Sequence, residues 1–272
     1  MHVPSLTWLR RLVQAAVIAV ALSSASAVAA DGEEVWSRVR ASLFGNRPIA
    51  DAGFGLSLAV PKRAEDAAVV PVAIRAFPAS GRGVPRKLYL IIDGNPSPVS
   101  AVFELGEDIG RAEIETRVRV EDNSTVRAIA EEADGSLSMT TRTIKASGGC
   151  SAPANKREGD ASTLGQMRWQ LPDAVTPGEP ALVTLLIRHP NNSGLAMDQL
   201  TRLYEPPHFV RQVRVTYAGR LVLSADVDFS ISENPAFRFA FKPSVAGTLK
   251  AEVIDSNELA FESSVDIRPT AR

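Results

Sequence analysis

The chain has 272 residues, 45% of them hydrophobic and 22% charged, which is ordinary globular composition with material for a large core. A net charge of -1 and an isoelectric point near 6.3 exclude an electrostatic nucleic-acid binder, and no acidic or basic tail is present. A single cysteine, Cys150, excludes an internal disulfide, a cysteine-rich metal site and a paired-cysteine haem attachment.

Residues 1–30 have the order of a secretory signal peptide: a basic start with Arg10 and Arg11, an apolar run from Leu12 to Leu22, then small residues up to Asp31. Cleavage is expected near Ala29 or Ala30. The run is well short of the ~20 residues that span a bilayer, so no stable membrane insertion is expected after cleavage. Arg10-Arg11 leaves twin-arginine export open beside the general route. Cleavage removes two arginines and no acid, leaving 28 basic and 31 acidic residues. The expected compartment is the periplasm, where disulfides form readily, and an odd thiol there is either a linking residue or a reactive group.

A helix is predicted next. Asp31 can cap it, Glu33 and Glu34 suit its first turn, and Val35, Trp36, Val39, Leu43 and Phe44 recur at helical spacing. Gly45-Asn46-Arg47-Pro48 stops it. The period then changes to two. Val70, Val72 and Ile74 alternate with Pro71, Ala73 and Arg75, and the runs Leu88–Ile92 and Val99–Leu105 come next. The clearest strand is Ala112–Glu121. Ala112, Ile114, Thr116, Val118 and Val120 face a core, and Glu113, Glu115, Arg117, Arg119 and Glu121 face solvent. Val126–Ala130 and Leu137–Lys145 continue the pattern.

From Ala146 to about Gly165 the pattern stops, and the segment reads as a linker. Strand patterns resume at Ala181–Arg188, Val210–Tyr217, Arg220–Ser224, Val227–Ile231, Phe237–Phe241, Leu249–Ile254 and Leu259–Ile267. The fold class is mainly β: two immunoglobulin-like sandwich domains, residues 31–146 and 165–272, with a short helix on the first and a flexible linker, 147–164, between them.

Cys150 lies in that linker, after Gly148 and Gly149 and before Ser151. A free cysteine is often a buried small hydrophobe. Here the neighbours are glycine, serine, proline and, further on, Asn155, Lys156 and Arg157, so the expectation is a mobile, uncrowded thiol on an arm of Gly148, Gly149 and Ser151. Lys145, Lys156 and Arg157 would favour the thiolate. His189 ends an apolar strand and is read as structural, and His208 as a loop residue. No metal ligand set, cofactor site or fixed catalytic dyad is expected.

Several motifs carry a family resemblance. In the first half these are Val35-Trp36, Leu43 to Ile49, Val70-Pro71-Val72 and Gly148-Gly149-Cys150. In the second they are Pro177-Gly178-Glu179, Leu186 to Pro190 with Ser193-Gly194, Ser232 to Pro235 and Ala246 to Leu249. In this order they resemble SoxY and SoxZ, the sulfur carrier of thiosulfate oxidation, fused in one chain, and are similar to the fused carriers associated with quinoprotein (PQQ) dehydrogenases. The resemblance implies immunoglobulin-like halves, Cys150 as the attachment point for thiosulfate-derived sulfur, sulfur-oxidising enzymes or c-type cytochromes as partners, and no catalysis by the carrier itself. The family's cysteine lies on a free tail with glycines on both sides. Here Ser151 comes next and the chain runs on, and Asn191-Asn192 stand where the family tends to have methionine and glutamate. A second reading is a non-covalent module for a periplasmic quinoprotein dehydrogenase or its cytochrome. In the first reading, Cys150→Ser abolishes function without loss of stability; in the second it changes nothing.

Overall fold

The computed structural model describes residues 32–53, 55–77, 83–153, 160–198 and 201–270. The expected signal peptide and the Asp31 cap lie outside them. The chain forms two compact units, one up to Gly45 and one from Asn46 onward. The first holds helix α1, residues 32–44. The Gly45 N–H closes it on the Ala41 carbonyl at 3.1 Å, with Gly45 at φ +57°, the left-handed residue that commonly ends a helix.

The second unit is built from two stacked sheets. The first half supplies β1 (Ile49–Asp51), β2 (Leu56–Ala59), β3 (Val70–Ala76), β4 (Lys87–Ile92), β5 (Val99–Leu105), β6 (Glu113–Val118), β7 (Ser124–Glu131) and β8 (Leu137–Ile144). The second half supplies β9 (Met167–Gln170), β10 (Ala181–Ile187), β11 (Val210–Tyr217), β12 (Arg220–Val227), β13 (Ala236–Phe241), β14 (Gly247–Asp255) and β15 (Ala260–Ile267). One sheet runs β1-β8-β7-β4-β5-β12-β11-β14-β15, the other β2-β3-β6-β13-β10-β9.

Each half alone is an immunoglobulin-like two-sheet sandwich, and the halves join edge to edge in both layers. β5 pairs with β12, placing Phe103 opposite Ala225, and β6 pairs with β13, placing Ile114 opposite Phe239. Sequence alternation shows which residues face inward but not which strands become neighbours. Joining the halves gives partners to edge strands whose N–H and C=O groups would otherwise be open to pairing with other chains. The inward residues of both halves then belong to one core, from Val72, Ile74, Leu90 and Phe103 to Val215, Phe237, Phe239 and Phe241. Each fully buried phenylalanine contributes roughly 1.5–3 kcal/mol.

Three short strands, β1, β2 and β9, escape the alternation because three or four residues carry too little period. The expected strand at Val227–Ile231 is instead the end of β12 and a turn, in which Asp228 accepts the Ser230 N–H at 2.7 Å. The expected strand Ala112–Glu121 leaves the sheet after Val118, and its last three residues, 119–121, build the site instead.

Candidate functional site

Past β6 the backbone of residues 119–121 is held by new partners. The Arg119 N–H donates to the Ser230 carbonyl (2.7 Å) and the Val120 N–H to the Ala67 carbonyl (2.8 Å). Asn95, in the turn between β4 and β5, receives the Glu121 N–H (2.9 Å) and donates to the Arg119 carbonyl (2.8 Å) and to the Ser230 hydroxyl (3.1 Å). This fixed platform receives the Cys150 segment.

Glu121 clasps that segment. Its carbonyl accepts the Gly148 N–H at 2.7 Å. Its carboxylate accepts the Cys150 N–H at 2.7 Å, the Ser151 N–H at 3.1 Å and the Ser151 hydroxyl at 3.1 Å. The Gly149 N–H donates to the Val120 carbonyl at 3.1 Å. From the second half, the Ser193 hydroxyl donates to the Cys150 carbonyl.

Cys150 is therefore buried, with 0% exposure. This corrects the expected exposed and mobile thiol. Composition gave no hint of the residues that receive the segment, since they lie far away in sequence. The glycines also do different work from that expected. Gly148 sits at φ +74°, where a side chain is strained. Gly149 passes so close to the platform that a Cβ would stand 2.1 Å from the Ala67 carbonyl oxygen and 2.5 Å from that of Val120. Glycine here permits close approach.

Burial, reinforced by the Glu121 carboxylate, pushes the Cys150 thiol up to about 12, with Arg119 opposing. The expected help of Lys145 toward a thiolate is absent from the groups acting on Cys150, and Lys156 and Arg157 lie outside the described residues. A thiol so raised is protonated at neutral pH and unreactive while the segment is closed.

Arg119, read from alternation as solvent-facing, is 1% exposed. Its Nη1 donates to the carbonyls of Gly149 (3.2 Å) and Ala152 (3.3 Å), on either side of the Cys150–Ser151 turn, and its Nη2 to that of Asn191 (3.4 Å). No periodic signal could have found it.

Behind Asn191 lies a histidine cluster. The His189 and His208 Nε2 atoms stand 3.4 and 2.7 Å from Asp255 Oδ2, and the rings meet edge to face at 4.6 Å. His189 is buried, as a structural histidine would be, and His208 is tied into the cluster as well. The Asn191 N–H donates to His189 Nδ1 (3.1 Å), so the His189 proton sits on Nε2, facing Asp255. Three potential ligands thus lie close together, yet in this tautomer His189 offers no lone pair to a metal. Burial, then the nearby His208, push His189 down to about 4. Burial pushes Asp255 up, but hydrogen bonds from His208, Leu259, Asn257 and His189 more than offset it and hold the carboxyl below its usual range.

A sandwich of two consecutive immunoglobulin-like halves sharing both sheets, with one clasped thiol where the first half passes into the second, is the class that fold and site define. Family comparison gives the particular case: residues 40–150 match SoxY, described as sulfur oxidation protein SoxY, and residues 167–266 match SoxZ, described as sulphur oxidation protein SoxZ. The chain belongs to the SoxY–SoxZ sulfur-oxidation carriers, with both partners in one chain. It is a carrier rather than a catalyst, and the SoxY match ends on Cys150. A comparison with curated proteins finds no match. Among solved structures, two variants of the superoxide reductase (neelaredoxin) from Ignicoccus hospitalis are similar at 14% identity and a TM-score of 0.31. They cover 43% and 42% of this chain and 90% and 87% of their own, a likeness too small to carry an argument. No helix among the described residues is long and apolar enough to cross a membrane.

Proposed function

We propose that this chain is a periplasmic carrier that holds thiosulfate-derived sulfur covalently on Cys150 and presents it to sulfur-oxidising enzymes. The observation that carries the reading is the clasp. The sole thiol sits at the end of the SoxY match, on a turn clasped by the Glu121 carboxylate, the Arg119 guanidinium and the Ser193 hydroxyl, so opening that turn exposes it. Loading joins the Cys150 sulfur to the outer sulfur of thiosulfate. The S–H and the thiosulfate dianion become a Cys–S–S–SO₃⁻ group, with loss of one proton and two electrons to a c-type cytochrome partner. Closed, the thiol is protonated and covered, so loading requires the turn to open.

Intact mass measurement on protein from the native periplasm, purified without reductant, tests this. A reducible adduct of sulfur, sulfite or thiosulfate mass on the Cys150 peptide is expected. A clean free thiol while the pathway is active would overturn covalent carriage.

One observation favours the second reading, a non-covalent docking module for a quinoprotein dehydrogenase or its cytochrome. Further along the loop that carries Ser193, where Tyr204 pairs with Met197, Leu203 and Tyr204 are 69% and 62% exposed. In that case Leu203→Ser with Tyr204→Ser abolishes partner capture, while Cys150→Ala leaves it intact.

A further inference from the structure

Among the described residues two arginines are buried, and they are treated differently. Arg127 is clamped by Asp93, with Nε at 3.0 Å and Nη2 at 2.7 Å from its carboxylate. Arg119 has no carboxylate within ion-pair distance among the described residues. Its hydrogen bonds to three carbonyls, at 3.2 to 3.4 Å, are longer than usual, and its buried Nε has no hydrogen-bond partner. A buried guanidinium without a paired anion is costly, so its place under the one thiol asks for a reason.

We infer that Arg119 is the receptor for an anionic, oxyanion-terminated group carried on Cys150, such as a sulfonate at the end of a sulfur chain. The inference rests on covalent carriage at Cys150 and adds which cargo the closed state retains. The guanidinium lies against the thiol-bearing turn: its Nη1 holds the Gly149 and Ala152 carbonyls on both sides of Cys150–Ser151, and its charge acts on the thiol. A sulfonate oxygen can take the unused Nε–H and the weakly engaged Nη–H groups, in the planar charge-assisted geometry that suits arginine and oxyanions. It places an anion in direct contact with the guanidinium, which otherwise has only the more distant charges of Glu233 and Asp66. A neutral persulfide or thiol supplies no anion, so the closed state favours anionic cargo over an emptied or desulfonated thiol.

The test installs cargo chemically on the full mature chain, and so does not depend on what Cys150 carries in the cell. In urea, Cys150 is treated with tetrathionate. Its central S–S bond breaks, giving Cys–S–S–SO₃⁻, released thiosulfate and a proton. A second sample is treated with methyl methanethiosulfonate, giving the neutral methyl disulfide and methanesulfinate. Both are refolded, and the rate of reduction by dithiothreitol is measured folded and in urea. The ratio of the two rates is the protection of each adduct. The anionic adduct is expected to be protected about tenfold more than the methyl adduct, as a charge-assisted pair implies. Arg119→Met should remove that difference, and Arg119→Lys, which keeps charge but loses the planar fork, should lose most of it. Equal protection in the unsubstituted chain overturns the proposal without any variant. So does a difference that survives in Arg119→Met, or an anionic adduct that fails to refold where the methyl adduct succeeds.

Discussion

Glu121 lies three residues beyond the end of β6, and its carboxylate closes the Cys150 turn from the first half together with the Arg119 guanidinium. Hydrogen bonds to a charged group are worth about 1.5–3 kcal/mol, so Glu121→Ala should raise the rate at which iodoacetamide labels Cys150 by about 10- to 100-fold. An unchanged labelling rate would mean that something else closes the turn. Gly149→Ala should act more severely. Its Cβ cannot fit against the Ala67 and Val120 carbonyls, so the turn must shift, at about 1–3 kcal/mol, measurable as a lower urea midpoint together with faster labelling. Burial also changes the expected behaviour of Cys150 itself. A serine there buries a hydroxyl, so Cys150→Ser should be less stable than Cys150→Ala by about 1–3 kcal/mol, against the sequence expectation of no loss of stability. Cys150 could be singled out from the sequence by its solitude and its motif. Glu121 and Arg119 could not, because their roles come from a segment some thirty residues further on.

At the scale of elements, alternation located most of the strands, and Val70, Val72 and Ile74, or Phe237, Phe239 and Phe241, face inward as their period demands. It failed where a strand changed partners. Extending the β6 period past Val118 puts Arg119 on the solvent face, but there the backbone turns from the sheet to Ser230 and the side chain goes inside. The end of β10 shows the same limit: His189 was legible as structural, its tie to His208 and Asp255 was not. That tie has a pH signature. The folded state depresses His189 to about 4, below its ordinary 6.5, so between these values the unfolded chain binds the extra proton. Stability from the neutral ring is complete above pH 6.5 and is lost as pH falls toward 4, on the order of 3 kcal/mol. Asp255, held low, loses its share only further down. Urea midpoints across this range should fall with pH, and His189→Gln should flatten the slope there. A slope of the same steepness in the variant would assign it to other groups.

For the whole molecule, strand content and the two-half organisation were readable, but the joining of the halves was not, because no local pattern encodes a pairing across more than a hundred residues. The joined sheets predict one cooperative transition for residues 46–272. Phe239→Ala, in the second half, should cost about 3–5 kcal/mol and lower the hydrogen-exchange protection of β4 amides in the first half by the same amount. Unchanged β4 protection would show halves that unfold independently. The pairing has a further consequence for the thiol. The turn belongs to the first half, while Ser193 and Asn191, which complete its enclosure, belong to the second. Were the halves separate chains, dilution would strip that cover away. In one chain the cover has a fixed effective concentration, so a single molecule, however dilute, shields its own thiol as well as a crowd of them would.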